Sequence, residues 1–162
     1  MRRMFPAALT MLALTLLIST GCTNRKAPAK IAKATVHDHP ETGPHGGALA
    51  EWGEEEFHPE FKVDHAKKEA TVYINDDKAA KPAPIEVEVV ELILTHVKPP
   101  ITIVLKADPE ATDPKGKSSR FRGTHDELAK EIEFKGEINA KIGTKPYTGT
   151  FVEKDDHDHK KK

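Results

Sequence analysis

Nine histidines in a chain of 162 residues are the functional groups whose number and placement bear most directly on chemistry, because imidazole binds divalent transition metals and exchanges protons near neutral pH. Four of them form two identical tripeptides, His37-Asp38-His39 and His157-Asp158-His159, and His45 follows His39 by six residues. Two neutral imidazoles separated by one residue can close on one ion, and the intervening aspartate adds a hard oxygen and a favourable field. Ordering the chain opposes such binding, so tracts of this kind chelate weakly. A second candidate is His58 with Glu60, whose i, i+2 spacing puts both on one side of a strand. With His45 from the preceding loop they could form a three-ligand metal site of His45, His58 and Glu60, while His37, His39, His157 and His159 gather ions from solvent. The same spacing is what any solvated polar strand face offers, and a charged tail serves equally as a solubilising end. His65, His96 and His125 stand isolated and read as turn, strand and helix-start residues.

The ligand set narrows the metal. The methionines are Met1, Met4 and Met11 and the one cysteine is Cys22, so soft copper(I) coordination lacks its usual ligands in the body of the chain. Imidazole and carboxylate suit zinc or copper(II), with nickel and cobalt as further members of the series. Histidine protonates near its reference pKa of about 6.5, so metal affinity is expected to collapse by about pH 5. One cysteine also excludes an intrachain disulfide, a four-cysteine zinc site and a cysteine-held iron–sulfur cluster within one protomer. No Gly-x-Ser-x-Gly, Walker loop, dinucleotide fingerprint or His-Glu-x-x-His occurs, so the chain reads as non-enzymatic, with no catalytic residue assigned. Lys and Arg number 25 against 26 Asp and Glu, a balance that argues against a nucleic-acid partner.

These groups need a scaffold, and the pattern after residue 48 supplies it as short runs alternating with a period of two, bounded by Pro, Gly, Asn and Asp. Phe57, Phe61 and Val63 share one face of the first such run, and His58, Glu60, Lys62 and Asp64 the other. Pro59 assigns this strand to an edge or a bulge. Val72 and Ile74 follow a turn at 65–68 and face inward, with Tyr73 outward or at an end. Ile85, Val87 and Val89 then run in one phase and Leu92 and Leu94 in the other, which predicts a bulge near Val90-Glu91. Ile101, Ile103 and Leu105 return, and 108–120 reads as a polar loop whose acids Asp108, Glu110 and Asp113 form turns. Thr124 and Glu127 make a capping box that predicts a helix of about two turns with Leu128 and Ile132 on its apolar stripe. Ile138, Ala140 and Ile142 are expected to pair with Tyr147, Gly149 and Phe151 across a turn at 143–146. The fold class is therefore mainly β, an antiparallel β-sandwich or small barrel of about seven to eight strands with one short helix.

The first 21 residues follow an export pattern: Arg2 and Arg3, an apolar stretch from Ala7 to Ile18, then small residues before Cys22. Gly21-Cys22 resembles the lipobox of bacterial lipoproteins, which implies cleavage before Cys22 and lipidation of its thiol. The organisation expected is a signal peptide at 1–21, a lipidated cysteine and tether at 22–43, a β domain at 44–153 and a charged His-containing tail at 154–162. The chain would then be lipid-anchored to a membrane of the cell envelope, facing periplasm or exterior.

Pro44-His45-Gly46-Gly47, the following Trp52-Gly53, then Phe57-His58-Pro59-Glu60, Asp64 and Val72-Tyr73-Ile74 resemble the small His-Gly-Gly domain of bacterial envelope proteins. That stretch is similar to a segment near the start of cation-efflux periplasmic adaptor proteins, from about residue 44 to 106. Gly116-Lys117-Ser118-Ser119-Arg120-Phe121 and Lys145-Pro146-Tyr147-Thr148-Gly149 resemble small planctomycete-type lipoproteins. The resemblance implies an extracytoplasmic β domain associated with divalent-metal export and with an envelope efflux protein as partner. The alternative left open by the residues is a structural or protein-interaction module of the envelope in which the histidines are incidental.

Overall fold

Strands form where apolar residues alternate with polar ones and stop where the chain supplies a turn former. The computed structural model describes residues 42–153, which build one sheet of eight antiparallel strands and a turn of 3-10 helix. The strands are β1 (Ala48–Leu49), β2 (His58–Asp64), β3 (Glu69–Asn75), β4 (Val89–Leu94), β5 (Ile101–Ala107), β6 (Arg120–Thr124), β7 (Lys135–Ile142) and β8 (Lys145–Val152); the turn η1 spans Asp126–Ala129. Their order across the sheet is β1-β2-β3-β6-β5-β4-β7-β8.

The sheet curls into a nearly closed barrel filled by side chains, as expected for eight strands. Its two ends approach each other through packing. Phe61 of β2 stacks on Phe151 of β8 with ring centroids 4.4 Å apart. Trp52, just beyond β1, is fully buried and donates its indole N–H to the Ile138 carbonyl of β7 at 2.8 Å. It reaches β7 by crossing β8 at Gly149, where a β-carbon would press on the Glu51 carbonyl and the indole.

The predicted alternation holds through most strands. In the β2–β3 ladder Phe61 faces Val72 and Val63 faces Ala70, while Glu60 faces Tyr73 and His58 faces Asn75 on the opposite side. Pro59 lies where β2 has outrun the two-residue β1, with its carbonyl accepting from Ala50 N at 2.8 Å, so its missing N–H falls at a ragged edge.

Three expectations require correction. The phase change before β4 is a break: Ile85 bridges Ser118, and β4 then runs in unbroken register from Val89 opposite Lys106 to Leu94 opposite Ile101. The capping box at Thr124 does not form a two-turn helix. His125 caps a single 3-10 turn, Leu128 is buried and Ile132 is 40% exposed, so the second apolar position never reaches the core. The 143–146 turn is tighter than expected, with Ile142 already opposite Lys145 and Gly143 at φ 61, the positive φ that a two-residue hairpin loop demands.

Candidate functional site

The segment from Thr42 to Gly47 folds back on itself before entering β1. Gly43 N donates to the Gly47 carbonyl and Gly46 N to the Gly43 carbonyl, both at 2.9 Å, and Thr42 bridges Ala48. This loop lies flush on the outer face of β2 and β3. At Gly43 a β-carbon would collide with the carboxyl group of Glu60, and at Gly47 with the carbonyl oxygen of Phe61. Glycine is required at both positions for that contact.

The loop closes over Glu60, whose side chain is fully buried. One carboxylate oxygen, Oε1, accepts from His45 N at 2.8 Å and Gly47 N at 2.7 Å. The other, Oε2, lies 2.9 Å from His45 Nδ1 and accepts from Asn75 Nδ2 at 3.4 Å. A carboxylate withdrawn from water is tolerated where donors replace the lost hydration, and this one is surrounded by four. The His45 ring lies flat on Tyr73, with centroids 3.7 Å apart and planes 9° from parallel. Lys62 Nζ donates to the His45 carbonyl at 2.7 Å. The imidazole is thus fixed by two contacts, one at Nδ1 and one on its face, and its backbone by a third, while its side chain remains 34% exposed.

His58 and Glu60 do point away from the barrel interior, as their spacing predicts, but neither lies on a solvated face. His58 is 1% exposed and donates Nδ1–H to the Asp76 carbonyl at 3.0 Å. The turn after β3 covers it. Asp76 organises that turn by accepting from Ala80 N and Lys81 N, and the Ala80 N–H, with those of Lys81 and Lys78, holds its carboxyl below the ordinary value against the opposing effect of burial.

Of the three structured ligands proposed from sequence, the fold therefore brings His45 and Glu60 together and turns the His58 Nδ1 to a backbone carbonyl. Among the described residues, no group of three or more His, Cys, Asp or Glu is placed to hold a metal ion. The physical reason at Glu60 is that N–H donors occupy both of its oxygens. His37, His39, His157, His159 and Cys22 lie outside the described residues.

The three histidines read as isolated converge on η1. His125 Nδ1 accepts from Glu127 N at 3.0 Å, His65 Nδ1 donates to the Leu128 carbonyl at 2.9 Å, and His96 Nε2 stands 3.9 Å from Glu127 Oε1. His65 and His96 also flank the buried ring of Phe134. No local signal announces this cluster, since β-sheet pairing joins its members. Tyr73 and Asn75 were missed for the same reason, and Lys62, on the strand face of Glu60, because it meets His45 only through the overlying loop; Gly43 and Gly47 carry a signal only as part of the glycine-rich run around His45.

Compared with known proteins, the chain matches no protein-family model, no curated protein and no solved structure.

Proposed function

We propose that this chain is a lipid-anchored, non-enzymatic protein of the cell envelope that binds or buffers a divalent transition metal, zinc or copper(II), in association with cation efflux. His45 is its fixed ligand. His37 and His39, a short reach upstream, and the His157 and His159 pair complete the coordination, while Cys22 carries the lipid. The observation that supports this reading is the immobilised, half-exposed imidazole of His45, clamped by Glu60 and stacked on Tyr73. A ring already held in place loses little freedom on binding, which separates it from a histidine on a freely moving tract.

Titration calorimetry of the tag-free chain from residue 22 onward with zinc and copper(II) tests the proposal. Micromolar or tighter binding that weakens about tenfold or more in His45→Ala is expected, on the scale of losing one ligand's contribution. Absent or millimolar binding, or binding indifferent to His45→Ala, rejects it in favour of an interaction module.

A further inference from the structure

Resting on the metal reading, we infer that Glu60 is a positioning residue that holds neutral His45 as the Nδ1–H tautomer and thereby reserves Nε2 for a divalent cation. Glu60 Oε1 receives two backbone N–H groups and Oε2 receives the Asn75 amide, so the carboxylate acts as acceptor throughout. His45 Nδ1, at 2.9 Å from Oε2, must then be the donor. In a neutral ring the remaining lone pair sits on Nε2, at the far side of an imidazole that is 34% exposed. A carboxylate behind a histidine is the arrangement by which proteins orient metal-bound imidazole. Glu60 thus acts through His45 and does not touch the ion, which accounts for a glutamate conspicuous by spacing being buried where no cation can reach it.

Glu60→Gln separates this role from structural support. The backbone donors of His45 and Gly47 keep an acceptor at the Oε1 position, which places the glutamine NH2 at the Oε2 position, facing Nδ1. Asn75 can turn its amide to receive the second glutamine N–H, because its Oδ1 has no hydrogen-bond partner among the described residues. Nδ1 then has to accept, and the ring switches to the Nε2–H tautomer. Imidazole nitrogen NMR of the metal-free chain at about pH 8, above the reference histidine pKa, is expected to show Nδ1–H in the wild type and Nε2–H in Glu60→Gln. Adding zinc should shift Nε2 of His45 in the wild type, and the variant should bind zinc about 10- to 100-fold more weakly, the range seen when a partner behind a ligand is lost. An Nε2–H tautomer in the wild type, a zinc shift at Nδ1, or a switched tautomer with undiminished zinc affinity overturns the inference. If Glu60→Gln does not fold, the wild-type tautomer and the nitrogen shifted by zinc still decide. A wild-type chain with the expected tautomer and no zinc binding overturns the metal reading, and with it the ligand role, leaving Glu60 as a tautomer lock.

Discussion

Gly47 shows how a single hydrogen atom in place of a methyl group decides whether the His45 loop can exist. Its amide reaches Glu60 only because nothing stands between its Cα and the Phe61 carbonyl. That carbonyl belongs to a strand paired on both sides and cannot retreat. Gly47→Ala should therefore lift the loop, strand a buried carboxylate with fewer donors and lower stability by about 2–4 kcal/mol, the range for losing buried hydrogen bonds to a charged group. Gly46 provides the contrast: an added β-carbon there meets open space, and its φ of 77° leaves only backbone strain of roughly 1 kcal/mol. Urea midpoints of the two variants at unchanged m-value would check the difference. The sequence placed His45 in the loop preceding the strand of His58 and Glu60. That Glu60 lay beneath it was hidden, because the i, i+2 rule gives the side of a strand and says nothing about what folds over that side. His58 and Glu60 read as solvent-facing for this reason.

Between strands, acidic residues hold the connections. Asp113, read from sequence as a turn former, accepts from Glu110 N and Ser119 N at 2.8 Å and from Ser119 Oγ at 2.9 Å, closing the long loop between β5 and β6. Desolvation raises its carboxyl pKa, but the Ser119 and Glu110 donors and the Arg120 charge outweigh that effect, and the net shift is downward. A depressed folded pKa means that the folded state holds the proton less readily than the unfolded chain. Asp113 therefore stabilises the fold above the ordinary aspartate value of about 3.9, and the contribution is lost as pH falls toward and through the lowered folded value. Asp113→Asn should flatten the acid side of the stability curve between about pH 5 and pH 2, measured by denaturant midpoints; a curve as steep as the wild type's would refute the assignment. Asp64, Asp76 and Asp126, lowered by their own donors, keep part of that slope in the variant. The strands themselves were legible because alternation is local. Break and helix were misjudged at Ile85 and Thr124, where bridging to Ser118 and capping by His125 override the local pattern.

Barrel closure depends on contacts that no short window of sequence contains. Trp52 joins the chain beyond β1 to β7 across β8, and its N–H satisfies the Ile138 carbonyl in the interior. Trp52→Phe keeps an aromatic ring but removes that donor and leaves a void, so a loss of about 2–4 kcal/mol is expected, followed by circular dichroism since the protein's one tryptophan is gone. In the wild type the same indole should emit at short wavelength and shift red on unfolding. Equal stability of Trp52→Phe would show that the seam is held by the Phe61–Phe151 stack instead. The sequence allowed either a sandwich or a small barrel because both use the same strands; the order of pairing separates them.

On the N-terminal side of β1, Thr42 bridges Ala48 one short loop before the first strand. Tension applied from that side would meet this loop before the sheet. It would peel Thr42 from Ala48, then draw the His45 backbone off Glu60 one bond at a time, before reaching β2. The imidazole is therefore carried by a loop that its own backbone bonds and the Glu60 carboxylate, and not the strand ladders, hold against the sheet.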